Sequence, residues 1–541
     1  MTLKTLLACS AALLLGSAAI AASSDYDILI RNGKVLDGAG NPWVKADVAI
    51  KDGRIVRIGK LTGSATRVID ATGRYVSPGF IDMMDQSGET LLVSGGAENK
   101  LLEGVTSAIA GEGGTPVPAD QIKAYFDKLQ AQGIAINFGS YYATYQAREK
   151  VMGDRAGTPT PAQMAVMAKE VDTAMHAGAF GISTALIYSP ITFQSTADLI
   201  ALAKVASQCN AIYATHMRDE GPKLIPAIEE AIRIGEEGGV KVEIFHLKAG
   251  YRAGWGKLMP EAIATVEAAR ARGVDVAADM YVYNAGGTGI DITVPTWVWK
   301  DGEAKAIERL KDPTIRARLK QEVAAGPQPD WTNMVQAAGG WDNVVLGNAQ
   351  SAQYDKYNGM SFAKIGAALG KDPADAAWDI MIAGLPHRSM ALYFMIGEDD
   401  IRTALRQPWV SIGSDAGSSV KLGQIDGLGL PHPRAYGNFT RVIAEYVQKQ
   451  HVLTLENAIR KMTSWPAQRM GLSDRGLVRE GMRADVLVFD LDKVKDVATY
   501  QQPLLPSTGI EEVIVNGVIT IDQGRPTGAR AGQVLRHTCP A

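Results

Sequence analysis

Two histidines stand at matching places in two short apolar segments of the chain. His216 closes the segment 211–216, and His246 lies near the end of the segment 242–247. The sequence holds only 7 histidines, so this placement is difficult to attribute to packing. Neutral imidazoles bind Zn²⁺ well, and a catalytic zinc site needs three protein ligands and one open position for water. A lone histidine is more often a core residue, but two at corresponding strand ends favour a shared metal ion.

Two carboxylates are candidates for the third ligand and for proton transfer. Glu112 stands in a glycine-rich turn directly after the apolar segment 105–110, and Asp415 follows the apolar segment 409–414. Each also has a structural interpretation, because aspartate is a good helix N-cap and a glutamate in a glycine turn is often solvated. At a metal site, Asp415 would bind the ion or move a proton from water to a leaving amine.

Eight short apolar segments alternate with stretches of helical periodicity through the middle of the chain. Repeated strand–helix units in this number predict the α/β class and a TIM-type (β/α)8 barrel over residues 78–470. Active groups of such a barrel lie at the carboxyl ends of its strands, where these histidines and carboxylates stand. A stretch rich in glycine and tryptophan at about 284–350 indicates an inserted lid or cap. The predicted strands are 77–83, 105–110, 134–139, 180–185, 211–216, 242–247, 274–280 and 409–414.

Both ends of the chain are rich in β-forming residues. Residues 25–77 contain alternating runs around the turn Asp52-Gly53, and residues 475–530 contain similar runs around Asn516-Gly517. These dipeptides favour two-residue hairpin turns. The two ends therefore predict one small β-sandwich domain that is built from both termini.

The first 21 residues have the pattern of a secretory signal peptide. Lys4 precedes an apolar run at 6–20, and Ala19-Ile20-Ala21 has the A-x-A pattern of a signal-peptide cleavage site. The run is shorter than the ~20 residues of a spanning helix, and an uncleaved anchor is the alternative. We expect a periplasmic or secreted protein with no stable membrane insertion. An oxidising compartment would let Cys209 and Cys539 pair, but the sequence does not decide whether they do.

The composition narrows the possible partners of the protein. The chain has 541 residues, is 46% hydrophobic and carries a formal net charge of −3, which describes a large globular protein. It has no excess of positive charge that would indicate binding to nucleic acid or to an anionic membrane, so we expect no nucleic-acid partner. The sequence does not determine the oligomeric state.

Five motifs resemble the amidohydrolase superfamily and, within it, most closely the N-acyl-D-amino-acid deacylases. The resemblance covers nearly all of the chain after the signal peptide, and it implies zinc-dependent hydrolysis of an amide that joins an acyl group to a D-amino acid. The motifs are Pro78-Gly79-Phe80-Ile81-Asp82, Thr215-His216-Met217-Arg218-Asp219-Glu220-Gly221, Phe245-His246-Leu247-Lys248, Gly413-Ser414-Asp415 and Pro431-His432-Pro433-Arg434-Ala435-Tyr436-Gly437.

The resemblance also implies roles for single residues. It makes His216 and His246 zinc ligands and Asp415 the general acid/base. Lys248 and Arg434 fall where the family grips the free carboxylate of its small-molecule substrate, with the help of Tyr281 or Tyr283. Cations suit that task, although a structural salt bridge would also explain them. From its place past the fourth strand, Tyr188 is a further candidate for substrate binding.

Two departures from the family pattern concern the metal. The usual His-x-His after the first strand is replaced by Met84 and Gln86, which are poor zinc ligands. The usual bridging cysteine after the second strand is absent, and Glu112 stands one residue away from its position. We therefore predict one zinc ion per chain, held by His216, His246 and Glu112. Asp85 is a weaker candidate for a further oxygen ligand.

Two other functions fit parts of this pattern. One is a dipeptidase-like or other amidohydrolase, since a carboxylate grip fixes neither the acyl partner nor the stereochemistry. The other is a catalytically dead periplasmic barrel that binds a ligand, which the missing His-x-His pair favours. The intact His216, His246 and Asp415 favour an enzyme instead. The sequence does not specify the preferred acyl group or amino acid.

Overall fold

The computed structural model describes residues 24–424 and 432–540. The predicted signal peptide at residues 1–21, and Pro431 of the last quoted motif, lie outside the described residues. Within those two ranges, no helix has the length and apolarity that crossing a membrane requires.

Eight parallel strands form the barrel that the alternating segments predict. The first three strands pair in chain order, and so do the fourth to the eighth. Tyr142–Ala143 continues the third strand and pairs with the fourth, and Asp85 forms a parallel bridge with Ala416 beyond the eighth. The predicted α/β class with a TIM-type barrel is confirmed. The barrel strands are Phe80–Asp85, Val105–Ala110, Asn137–Ser140, Gly181–Ala185, Ile212–His216, Lys241–Ile244, Val276–Met280 and Val410–Ile412.

Helices pack on the barrel through apolar residues that recur at helical spacing. In Leu224–Gly238, for example, Ile228 and Ile232 are buried one turn apart. This helix ends at Gly239, whose φ of 70° is the left-handed conformation that glycine adopts without steric cost. The helices that accompany the barrel are Thr90–Val93, Glu98–Leu102, Ile122–Gln132, Thr144–Met152, Pro161–His176, Thr196–Ser207, Leu224–Gly238, Leu258–Ala271, Glu398–Leu405, Arg434–Arg441, Val442–Lys449 (a π-helix), Leu455–Met462 and Ser464–Met470.

Strands from both ends of the chain lie in one sheet. Tyr75–Pro78 pairs antiparallel with Val486–Phe489, which joins the N-terminal strands to the C-terminal ones. The turns Asp52-Gly53 and Asn516-Gly517 have positive φ at both positions, as tight hairpins of these residue pairs require. The sheet has an apolar core of its own. Its other strands are Tyr26–Val35, Val44–Lys51, Arg54–Gly59, Ala65–Asp70, Ile510–Val515, Val518–Asp522 and Arg525–Pro526.

The chain between the seventh and eighth barrel strands forms an inserted unit with a second sheet. Gly286–Gly289 and Val344–Asn348 both pair antiparallel with Met390–Tyr393, so the sheet extends beyond residue 350. Thr288, Arg388 and Met390 of this unit line the cavity described below, which makes the insertion one wall of the site. Its helices are Glu303–Lys311, Pro313–Ala324, Met334–Ala337, Phe362–Leu369 and Pro373–Gly384.

The last residues of the chain run across the end of the barrel at which the strands begin. The N–H of His537 donates to the carbonyl of Gly178, which precedes the fourth strand (3.0 Å). Leu535 packs among buried side chains of the barrel interior. Cys539 forms a disulfide with Cys209, which precedes the fifth strand, so the pairing that the sequence left open is present in the structure.

Removing this disulfide is expected to lower stability without affecting turnover. The bond joins residues 330 positions apart, and a native disulfide that closes a long loop contributes roughly 2–5 kcal/mol. The double variant Cys209→Ser/Cys539→Ser should therefore melt at a lower temperature than the native chain, as scanning calorimetry would record. Its kcat at 25 °C should stay native, because the bond lies at the opposite end of the barrel from the site. A reductant should lower the Tm of the native chain and leave that of the variant unchanged; equal native Tm values with and without reductant would contradict the prediction.

Candidate active site

The two histidines are held at the ends of the fifth and sixth barrel strands. His216 is the last residue of its strand, and His246 lies two residues beyond Ile244. His246 has a φ of 36°, a left-handed conformation that a residue with a side chain adopts only with support. Asp279 on the seventh strand gives that support, because its Oδ1 accepts the His246 backbone N–H at 2.8 Å. The two imidazole centroids lie 4.5 Å apart.

Glu112 completes a cluster with the two histidines. Its Oε2 lies 2.7 Å from His216 Nδ1 and 3.5 Å from His246 Nε2. One ligand atom from each residue lies within 4.8 Å of the other two. Ligand atoms of a tetrahedral zinc site lie roughly 3.4 Å apart, so this donor set fits such an ion. His246 Nε2 is buried and has no hydrogen-bond partner in the described part of the chain, which suits a metal ligand.

The charges around the cluster favour a cation. Burial lowers the pKa of His216, but the negative charges of Glu220 and Glu112 outweigh burial and raise this pKa to about 9. Burial likewise acts to raise the pKa of Glu112, yet His216 and His246 outweigh it and lower that pKa. A site that stabilises a proton on buried imidazole in this way also attracts a divalent metal ion.

The residues at the superfamily's second metal position make other contacts. Met84 is buried in the apolar interior of the barrel, and Gln86 Nε2 donates to Asp415 Oδ1 at 3.4 Å. Asp85 pairs at 2.9 Å with the buried ammonium of Lys100, which it shares with Asp82. Among the described residues, the one other cluster of possible metal ligands includes Cys209 and Cys539. Their sulfurs are bonded to each other and so do not offer a thiolate to an ion.

Asp415 is held firmly in the turn after the eighth strand. It has a φ of 50°, and its Oδ2 pairs with Arg434 Nη1 at 2.9 Å. Lys100 fixes both neighbours of Asp415 by donating to Ser414 Oγ at 2.7 Å and to the carbonyl of Ala416 at 2.6 Å. The turn therefore presents an immobilised carboxylate that can accept and return a proton.

A cavity of about 490 Å³ lies next to the cluster. Its lining includes Glu112, Asp415 and Arg434, so carboxylates and a guanidinium face the same space. Tyr188 also lines it, and the tyrosine ring meets the His216 ring edge-on with centroids 5.1 Å apart. This volume is typical of small-molecule sites. A ligand in the cavity would thus contact Glu112 of the cluster, the candidate acid/base and a cation together.

Three of the predicted substrate-binding residues lie behind the wall of this cavity. Lys248 is buried, and its Nζ donates to Glu220 Oε1 at 2.6 Å. Tyr281 is buried with the Arg434 guanidinium 4.7 Å from its ring centroid, and Tyr283 is also buried. The roles of these three side chains in substrate binding stay predictions.

Two polar residues that the sequence analysis did not assign also meet the site. Glu220 lies within 3.3 Å of one ring nitrogen of each histidine, and its place in the motif 215–221 was the available signal. Arg388 lines the cavity, pairs with Asp291 at 2.8 Å and lies 5.1 Å from the Tyr188 ring centroid. Arg388 belongs to the insertion, where the sequence offered no motif.

The helix that begins at Arg434 is anchored by a buried carboxyl, which predicts a pH effect on stability. Glu103 Oε2 accepts the backbone N–H of Phe439 at 2.9 Å, and burial raises the pKa of Glu103 to about 8 from the ordinary value of 4.5. The unfolded chain releases this proton more readily, so stability should fall as the pH rises from 4.5 to about 8. Glu103→Gln should unfold at a higher urea concentration than the native chain at pH 8, with the difference closing near pH 4.5. Parallel pH profiles of the two proteins would contradict this.

The fold and the site together indicate a known class of protein. A (β/α)8 barrel with histidine and carboxylate ligands at its strand ends defines a class of metal-dependent hydrolases. The profile of the amidohydrolase family matches residues 67–521, a range that contains all eight barrel strands and the whole ligand cluster. The chain belongs to the amidohydrolase family.

Similarity to individual proteins covers nearly the whole chain. N-acyl-D-glutamate deacylase of Alcaligenes xylosoxydans xylosoxydans is 33% identical, over 94% of this chain and 96% of the relative. D-aminoacylase of the same organism is 31% identical, over 95% and 99%. The crystal structure of N-acyl-D-glutamate deacylase from Bordetella bronchiseptica, complexed with zinc and a phosphonate mimic of the tetrahedral intermediate, superposes with a TM-score of 0.78 at 30% identity, covering 94% of this chain and 99% of that one. Within the amidohydrolases, the chain is thus similar to the N-acyl-D-amino-acid deacylases.

Proposed function

We propose that this protein is a zinc-dependent deacylase that hydrolyses N-acyl-D-amino acids to a carboxylate and a D-amino acid. The observation that carries the proposal is the convergence of Glu112, His216 and His246 beside the cavity that Asp415 and Arg434 line. The D-amino-acid substrate class is supported by two relatives, which are deacylases of N-acyl-D-glutamate and N-acyl-D-aspartate. The sequence match covers almost the full length of both. We further propose one zinc ion per chain.

The residues of the site divide the chemistry among them. Zinc bound by His216, His246 and Glu112 would supply the Lewis acidity that activates water and polarises an amide carbonyl. Asp415 accepts the proton of the attacking water and delivers it to the departing amine nitrogen, so one carboxylate serves both halves of the reaction. Arg434, a cation on the cavity wall, binds the substrate carboxylate and orients the amide.

Replacing Arg434 is expected to weaken substrate binding more than it slows the chemical step. Arg434→Met removes the guanidinium and keeps a long apolar side chain, so KM for an N-acyl-D-amino acid should rise at least ~10-fold. The matched measurement uses the corresponding N-acyl-D-amino acid amide, which lacks the carboxylate and should lose little. If KM rises equally for the acid and the amide, Arg434 does not recognise the carboxylate.

The proposed function is tested by amine release from paired N-acetyl-D- and N-acetyl-L-amino acids, together with the metal content of the same sample. We expect about one zinc per chain and turnover of D-substrates only. Preferred cleavage of dipeptides would support the dipeptidase-like alternative. Tight ligand binding without turnover of any amide would support the catalytically dead barrel and overturn the proposal.

We also propose that the protein is exported. The pattern at residues 1–21 and the disulfide between Cys209 and Cys539 both suit an oxidising compartment, because reducing conditions in the cytosol disfavour such bonds. Sequencing the N-terminus of protein recovered from the periplasm or the medium should find that the chain begins near residue 22. Recovery only in the cytosol, with the full N-terminus, would contradict the proposal.

A further inference from the structure

The cavity beside the ligand cluster has an arginine on each of two opposite walls. Asp415 follows the eighth barrel strand, and Arg434 pairs with it at 2.9 Å. Tyr188 follows the fourth strand, and the Arg388 guanidinium lies 5.1 Å from its ring centroid. The fourth and eighth strands of a closed eight-stranded barrel lie across from each other. All four side chains line the cavity, so a ligand in it meets an arginine at either end.

The Arg388 side chain has hydrogen-bonding capacity that the protein does not use. Its Nε and Nη2 donate to the two carboxylate oxygens of Asp291 at 2.8 and 2.9 Å, and its Nη2 also lies 3.4 Å from Thr288 Oγ1. A guanidinium has five N–H donors. Within the two described ranges no residue accepts a hydrogen bond from Arg388 Nη1, and the side chain is 48% exposed. The two hydrogens of Nη1 are therefore available to a ligand in the cavity.

We propose that Arg388 binds a carboxylate at the far end of the substrate's acyl group, so that the protein prefers N-acyl-D-amino acids whose acyl group derives from a dicarboxylic acid. The inference rests on the proposed function, because it takes the scissile amide to lie at the zinc site. Arg388 contributes to binding and takes no part in the chemical step. Arginine suits this task, since its planar donors match the oxygens of a carboxylate.

The direction of the acyl group follows from the proposed roles of Asp415 and Arg434. Asp415 returns its proton to the amine nitrogen, and Arg434 binds the carboxylate of the same amino acid. The amine half of the substrate therefore lies along the wall of the eighth strand. The acyl half leaves the scissile carbonyl in the other direction, because a trans amide is planar and holds its two substituents apart. That direction leads past His216 to Tyr188, whose ring centroids are 5.1 Å apart, and on to Arg388.

The reach of a dicarboxylic acyl group suits this path. The His216 ring and the Arg388 guanidinium each lie 5.1 Å from the Tyr188 ring centroid, so a ligand must extend along this ring to meet Arg388. In an extended chain, the carboxylate oxygens of a succinyl group lie roughly 5 Å from the scissile carbonyl carbon, and those of a glutaryl group roughly 6 Å. A hydrogen bond to the guanidinium adds about 3 Å. An acetyl group lacks this reach.

The test compares each acid with its neutral carboxamide. N-succinyl-D-alanine is paired with N-succinamoyl-D-alanine, and N-glutaryl-D-alanine with N-glutaramoyl-D-alanine, so the members of a pair differ only at the far end of the acyl group. In the native protein, kcat/KM for the better acid should exceed that for its carboxamide at least ~10-fold. In Arg388→Met this ratio should fall to about 1, mainly through KM. No native preference for either acid, or a ratio that Arg388→Met leaves unchanged, would overturn the proposal.

A second variant separates ligand binding from support of the cavity wall. The ion pair of Arg388 with Asp291 joins two parts of the insertion, so its loss alone could disturb the wall. Asp291→Asn removes the same ion pair, but it keeps the guanidinium and frees it from a competing carboxylate. The ratio of acid to carboxamide should therefore stay native or rise in Asp291→Asn, whereas it falls in Arg388→Met. An equal fall in both variants would show that the ion pair only supports the wall, and the proposal would be wrong.

Further substrates distinguish the other source of a carboxylate and the failure of the proposed function. If Arg388→Met changes the preference for N-acetyl-D-glutamate over N-acetyl-D-glutamine instead, Arg388 meets the amino-acid side chain and the proposal is wrong. Native cleavage of N-acetyl-D-alanine without a preference for either diacid would leave the proposed function intact and overturn the role of Arg388. A native protein that cleaves no D-substrate would refute the proposed function, and calorimetric Kd values of the same acid and carboxamide pairs for native protein and Arg388→Met would then decide the role of Arg388.

Discussion

Asp415→Asn is expected to lower kcat by ~10²–10⁴-fold while the zinc content stays native, because general acid/base catalysis contributes about that much. Asparagine keeps the shape of the side chain and can place an oxygen against Arg434, whose Nη1 lies 2.9 Å from Asp415 Oδ2 in the native protein. It cannot take up a proton from water and return it to an amine. Steady-state amine release and metal analysis of one sample check the prediction.

The outcome also distinguishes proton transfer from metal binding by Asp415. His216, His246 and Glu112 form the ligand cluster without Asp415, so removing its charge should not release zinc. Zinc lost together with activity would make Asp415 a ligand. Native activity with native zinc would mean that another group moves the proton.

His246→Ala is expected to abolish zinc retention and, with it, turnover. Removing one of three protein ligands should weaken zinc binding by more than the ~10–100-fold that changes in the surrounding shell produce. The Lewis acidity that is lost accounts for several kcal/mol of transition-state stabilisation, which corresponds to at least ~10³-fold in rate. Dialysis against a weak chelator, followed by metal analysis, measures the first effect. Addition of excess zinc should restore some activity if the variant is folded.

His432→Gln is the matched control for that variant. His432 also lines the cavity and is buried, but its Nε2 bonds to the carbonyl of Ala285 at 3.0 Å and its Nδ1 accepts the backbone N–H of Arg434 at 3.0 Å. With both ring nitrogens occupied, His432 has no lone pair to offer an ion. This variant should keep its zinc. Equal zinc loss from the two variants would show that the effect is a general disturbance of the cavity.

The barrel and its ligand cluster could be predicted because they depend on local patterns and one general rule. Short apolar segments predict the eight barrel strands. Asp52-Gly53 and Asn516-Gly517 predict two hairpin turns of the small sheet. Strands of a closed parallel barrel end on one face, so His216 and Asp415 could be expected on the same face, although some 200 residues separate them.

Other parts of the site depend on contacts that no local pattern encodes. Glu220 follows the fifth strand and lies against His246, whose left-handed backbone is supported by Asp279 of the seventh strand. The family resemblance implies that Lys248 binds substrate, and no local pattern shows that its ammonium donates to Glu220, 28 residues earlier in the chain. Met390–Tyr393 is a short strand whose pairing is entirely within the insertion.

The C-terminal segment has a consequence for how the protein is made. Leu535 and Cys539 contact the interior and the lower edge of the barrel, and they are synthesised after all eight barrel strands. The small sheet likewise cannot form completely until the strands that begin at residue 486 have been synthesised. The barrel and the small sheet are therefore both completed late in synthesis, when residues far from their first strands have been made. For the same reason, a chain cut before residue 535 would lose part of the apolar interior of the barrel and the disulfide partner of Cys209.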